Sequence, residues 1–111
     1  KPVIAPTRDS WVTDLIKLAG GSNPFADRPG KSTPLTDDEV LAASPDAIVM
    51  SWCGVPLAKY RSEVVRRRSG WSATAAVREN RIHAVTEAYL GRPGPRLVEG
   101  YRALRRIIEA I

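Results

Sequence analysis

The sequence predicts a three-layer α/β lobe with a mostly parallel sheet flanked by helices. Two observations predict it. Apolar segments of strand length alternate along the chain with segments of helical period. In addition, Ala47-Ile48-Val49-Met50 is apolar at every position, the pattern of a parallel strand covered on both faces. The order is strand, helix, helix, strand, helix, helix, strand, helix, with residues 1–111 in a single lobe. Crossovers of this kind build a Rossmann-like sheet. There is no internal repeat and no low-complexity tract.

Each element has a local reason. Val3-Ile4-Ala5 reads as a short strand closed by Pro6. Ser10 is placed to cap a helix over residues 11–19, on which Val12, Leu15, Ile16 and Ala19 share one face. Gly20-Gly21 stops it. Residues 22–34 hold three prolines and Gly30 and read as a loop. Thr36 followed by Glu39 matches a capping box and opens a short helix to about Ser44. Pro45-Asp46 breaks it before the apolar strand. Gly54-Val55-Pro56 opens a further helix, with Leu57, Tyr60, Val64 and Val65 inward, and Gly70 ends that region. Residues 71–78 read as one more short helix and 82–86 as a strand. The last helix begins near Pro95, a residue tolerated in a first turn. Leu97, Tyr101, Leu104, Ile108 and Ile111 form its apolar stripe. Val3–Ala5, Ile48–Met50 and Ile82–Val85 are expected to be neighbouring parallel strands.

Bulk properties exclude several classes. The chain has 111 residues, 43% hydrophobic and 26% charged, enough for one core and unlike a disordered chain. No apolar run approaches the roughly 18–20 residues that span a bilayer. The chain begins at Lys1 and enters an apolar run almost at once, so a longer protein is expected, with any export signal or lipid anchor upstream. Cys53 is the only cysteine, which rules out an intrachain disulfide. The net charge of +5 raises the question of an anionic partner. Its one dense cluster, Arg66-Arg67-Arg68, falls at a predicted helix end, where cations complement the dipole. Nucleic-acid binding, which needs clustered cations with readers, is not expected.

In open α/β sheets, ligands bind beyond the carboxyl ends of the strands. That rule selects three segments: Arg8 to Trp11, Ser51 to Gly54, and Glu87 to Arg96. Trp11, Trp52 and Tyr89 would gather at one edge with Arg92 and Arg96. Flat rings offer apolar area to a large ligand, and arginines grip carboxylates, phosphates or amides. Any one aromatic alone is more often a core plug; three at one edge favour a site.

Enzyme readings fail on spacing. Gly30-Lys31-Ser32 lacks the glycine that a phosphate-binding loop needs five places earlier, where Phe25 stands. His83 is the only histidine, and no cysteine pair offers a metal site. A Cys53–His83 nucleophile pair has nothing to bring it together, and a buried thiol is the commoner role for a lone cysteine. Asp37, Asp38 and Glu39 complement a helix dipole by default.

Four stretches together resemble a known family. They are SWVTDLIKLAGGSNPFAD (10–27), LTDDEVLAASPDAIVMSWCG (35–54), GWSATAAVRENRIHAV (70–85) and AYLGRPGPRLVEGYRAL (88–104). In order, they resemble the carboxy-terminal half of metal-chelate-binding proteins of ABC importers, which include cobalamin, siderophore and haem carriers. The Arg-Pro-Gly-Pro-Arg run is closest to the cobalamin carriers.

The resemblance implies capture and delivery without chemistry, and no resident cofactor. Two lobes face one another across a cleft, joined by a rigid helix, with cobalamin or a similar iron-chelate-sized ligand between them. The amino-terminal lobe and most of the joining helix lie outside this sequence. By the same matching, Trp11, Trp52, Tyr89, Arg92 and Arg96 fall near the ligand. The ABC permease partner receives one acid from each lobe. Here that acid is Asp38, where the family usually has glutamate, with Glu39 beside it as a substitute. The implied location is periplasmic, or extracellular and lipid-anchored. An isolated lobe is expected to self-associate through its aromatic edge. The alternatives are a siderophore or haem cargo, and a stand-alone α/β interaction domain without a small-molecule ligand.

Overall fold

The computed structural model describes residues 3–111. Its elements are β1 (Val3–Pro6), α1 (Trp11–Leu18), β2 (Ser32–Leu35), α2 (Asp37–Ala43), β3 (Ile48–Met50), α3 (Ser62–Arg66), α4 (Ala75–Arg78), β4 (Ile82–Ala84), α5 (Glu87–Leu90) and α6 (Leu97–Glu109). Tight 3-10 turns lie at Leu57–Lys59 and Trp71–Ala73.

The central pair is β3 and β4, which run parallel with Ile48 opposite Ile82 and Met50 opposite Ala84. Successive strand side chains point to opposite faces, and both faces are covered. Ile48, Met50 and Ile82 join a first core with Leu35, Val40, Tyr60, Val65 and Trp71. Val49 turns to the other face. It joins a second core of Ala19, Val85, Leu90 and Leu104, against which α1 and α6 lay Leu15, Ile16, Tyr101 and Ile108. Helices α2 and α3 therefore cover one face of the pair, and α1, α5 and α6 the other. This is the expected three-layer α/β arrangement.

The expected place of β1 is corrected. It pairs antiparallel with β2, Val3 opposite Leu35 and Pro6 opposite Ser32. Among the described residues no ladder joins β1 to β3 or β4. The proline-rich segment read as a loop hid β2. Pro34 lacks an amide donor, but proline is tolerated on an edge strand, and among the described residues β2 pairs with β1 alone. The amides of Thr7, Arg8 and Asp9 continue this pairing onto the carbonyls of Lys31, Arg28 and Gly30. The β1 side chains Val3 and Ala5 still pack on the first core.

Two helix expectations also change. The helix read from Gly54 onward is a 3-10 turn, then an extended Tyr60 (φ −68°, ψ 137°), then the short α3. The break turns Tyr60 and Val65 inward but leaves Leu57 and Val64 exposed. The helix read over residues 71–78 is split at Thr74, whose extended backbone separates the 3-10 turn from α4. The Thr74 hydroxyl accepts the Val77 amide and so caps the second piece.

Other local signals behave as expected. The Ser10 hydroxyl accepts the Val12 amide at the start of α1. Thr36 and Glu39 form the reciprocal capping box of α2. Gly20 follows α1 at φ 98°, a left-handed conformation that glycine adopts without a Cβ clash. Of the α6 stripe, Tyr101, Leu104 and Ile108 pack on the second core, whereas Ile111 lies beyond the helix and is exposed.

Helix α6 lies very close to α5. A Cβ at Gly100 would meet both Leu90 Cδ2 and the Tyr89 carbonyl oxygen at 2.7 Å. The oxygen belongs to the backbone and cannot rotate away. Gly100→Ala should therefore destabilise the fold by about 1–3 kcal/mol, as overpacking does. Chemical denaturation measures this, and an unchanged midpoint would mean that the two helices separate freely.

Candidate functional site

The loop after β1 is fixed by its own polar groups. Thr7 is fully buried and donates its hydroxyl to the Gly30 carbonyl. Thr13 donates back to the Thr7 carbonyl at 2.7 Å, and the Asn23 amide donates to the Pro6 carbonyl at 2.8 Å. These bonds set Trp11 as the first residue of α1. The Trp11 indole Nε1 then donates to the Leu90 carbonyl oxygen at 2.7 Å, across 79 residues of sequence. Leu90 is the last residue of α5, so the indole satisfies one of the carbonyls that a helix end leaves open.

The loop after β3 meets the same short helix from its other end. Cys53 Sγ lies 3.7 Å from Glu87 Oε1, in the first turn of α5. Cys53 is exposed, which corrects the expectation of a buried thiol. Thus α5 joins the three post-strand segments: Trp11 at its end, Cys53 at its start, and its own residues after β4.

The individual side chains differ in availability. Trp11, Trp52 and Tyr89 are each partly buried, neither plugged into the core nor free. Trp52 leans on Tyr60, with ring centroids 4.9 Å apart and planes at 36°. The Trp52 amide donates to the Tyr60 hydroxyl at 2.6 Å, and that hydroxyl donates to the Trp52 carbonyl at 3.2 Å. Trp52 is thereby held toward the first core, while Tyr89 rests against the second. Arg92 and Arg96 are exposed in the loop between α5 and α6. Tyr60 was read from sequence only as an inward-facing core residue. Its role as a clamp on the Trp52 loop has no sequence signal, because it depends on the break before α3.

A second feature lies at the start of α2. Asp37 accepts from Arg68 Nε at 2.9 Å. Glu39 accepts the Thr36 amide and pairs with Arg28, and both hold its carboxyl below the usual carboxylate range. Asp38 is exposed and, among the described residues, has no ion-pair or hydrogen-bond partner for its side chain. The two acids beside it are committed and Asp38 is not. Sequence reasoning missed Arg28 and Arg68, since neither is near its acid in the chain.

Residues 1–89 match the family model described as periplasmic binding protein, and the chain belongs to that family. An uncharacterized ABC transporter substrate-binding lipoprotein of Bacillus subtilis strain 168, YvrC, is 32% identical over 101 residues, covering 91% of this chain and 30% of the relative. The periplasmic haem-binding protein RhuT of Roseiflexus sp. RS-1 is 28% identical with a TM-score of 0.70, over 94% of this chain and 41% of that one. The periplasmic vitamin B12 binding protein BtuF of Vibrio cholerae shares the fold, at 22% identity and a TM-score of 0.76, over 98% of this chain and 40% of that one. The chain thus spans well under half the length of these relatives. They are binding proteins, not enzymes.

Proposed function

We propose that residues 1–111 are the carboxy-terminal lobe of the substrate-binding component of an ABC importer. It captures cobalamin or a similar metal chelate, against a second lobe, and delivers it to a membrane permease. The convergence of three post-strand loops on α5 is the observation that carries this reading. In this reading Trp11, Trp52 and Tyr89 line the ligand side of those loops, with Arg92 and Arg96 beyond them. The rings offer apolar contact to a flat macrocycle, and the two exposed arginines suit the amides or carboxylates at its rim. Asp38 is the acid offered to the permease. A location outside the cytoplasmic membrane, by lipid anchor or in the periplasm, follows the lipoprotein relative. Haem is the second reading of the cargo, favoured by the likeness to RhuT, and a ferric siderophore is the third.

Titration of the full-length protein with cobalamin, haem and a ferric hydroxamate, followed by tryptophan fluorescence, tests the cargo. Cobalamin is expected to bind with a Kd of about 1 μM or tighter, some 8 kcal/mol of affinity. Tighter haem binding would replace cobalamin as cargo. No binding of any chelate would overturn the capture reading.

A further inference from the structure

The three acids at the start of α2 are not equivalent, and the structure shows what separates them. Consecutive helical residues point about 100° apart, so Asp37, Asp38 and Glu39 face three directions. Each outer acid meets an arginine from a different loop. Arg28 comes from the segment between α1 and β2, and Arg68 from the segment after α3. Both guanidinium groups also lie over an aromatic ring. Arg28 sits 5.0 Å from the Phe25 centroid and Arg68 sits 5.2 Å from the Trp71 centroid. Stacking of this kind restricts an arginine that would otherwise sample many rotamers. The Trp71 ring is itself buried in the first core. The first turn of α2 is therefore tied on both sides to fixed points, and Asp38 stands between the ties.

We propose that Arg28 and Arg68 are positioning residues for permease docking, holding the first turn of α2 so that Asp38 is presented in one orientation. This rests on the reading of Asp38 as the docking acid. The arginines act through α2 and do not touch the permease.

The Asp37–Arg68 tie gives a test in which net charge and positioning have opposite signatures. Asp37→Asn makes the region more positive, whereas Arg68→Met makes it more negative. If only charge mattered, the two variants would shift docking in opposite directions. Positioning predicts the same direction for both. The full-length binding protein, loaded with cobalamin, is supplied to its reconstituted transporter. The KM for the loaded protein is then measured alongside kcat, the Kd for the chelate and Tm. Both variants should raise KM by about fivefold, a typical coupling between neighbouring groups, with kcat and the chelate Kd unchanged. Arg68→Lys, which keeps the ion pair, should recover most of the loss. Shifts of opposite sign, or no shift in either variant, overturn the positioning role. Asp38→Asn is measured in parallel. If it leaves KM unchanged, the docking reading itself has failed. If it raises KM while the tie variants do not, only the positioning role has failed.

Discussion

Replacing Asp38 with alanine in the full-length protein should leave chelate affinity within about twofold and lower uptake by at least about tenfold, the factor that corresponds to 1.4 kcal/mol of docking energy. The separation of the two readouts follows from placement. Asp38 lies on the first turn of α2, whereas the three post-strand loops converge on α5. Its carboxylate is exposed and bonds to no described side chain, so its removal leaves no group unpaired. The fold should hardly notice the change. Docking on a permease cation would lose its only uncommitted acid in that turn. Glu39 needs a different variant. Its carboxylate closes the capping box and pairs with Arg28, so alanine there would mix a folding defect with a docking defect. Glutamine keeps the capping geometry but gives up the ion pair with Arg28, so Glu39→Gln should fold normally and raise the KM for docking about as much as Asp37→Asn does. Normal uptake by Asp38→Ala and by the Asp38→Ala, Glu39→Gln pair would remove these residues from the mechanism.

Local chemistry was legible in the sequence; pairing across distance was not. Ser10 and Thr36 announced their helices because a cap is a contact within a few residues. The apolar strand at β3 announced its two covered faces, and its parallel partner at β4 followed from the alternation of elements. The place of β1 was hidden because β2 is built from a segment whose prolines argue against a strand, and only the partner makes it one. The helix after Gly54 was overextended because periodicity saw Tyr60 and Val65 on an inner face. It could not see that an extended Tyr60 delivers both residues inward without a continuous helix. At the edge, the rule for open sheets selected three segments that α5 ties together, although β1 lies outside the parallel pair. The bonds that unite them span 79 and 34 residues, a separation at which no spacing pattern survives. The resemblance supplied Asp38, but the two arginines that single it out appear only when Phe25, Trp71 and α2 are seen together.

The isolated 1–111 chain should bind the chelate at least about a hundredfold more weakly than the full-length protein. A cleft divides its contact surface between two lobes, and one lobe keeps only its own share. Separation also removes the tether that holds the second surface at an effective concentration often in the millimolar range. The loss should therefore exceed the share of contacts removed. What remains on this lobe includes three partly buried rings. Trp11 is already anchored by its bond to the Leu90 carbonyl, and Trp52 by Tyr60. Such rings lose little freedom on meeting a surface, which favours contact with another copy. Uncovered apolar area of this kind tends to find a partner. The isolated chain is thus expected to self-associate through the edge carrying Trp11, Trp52 and Tyr89, and sedimentation should show an average mass that rises with concentration. Trp11→Ser should reduce that association, although it also strips the Leu90 carbonyl of its donor. Tyr89→Ser, which leaves that bond intact, provides the independent check. Tight chelate binding by the isolated chain, together with a concentration-independent monomer, would show that one lobe holds the whole site and that the divided cleft is wrong.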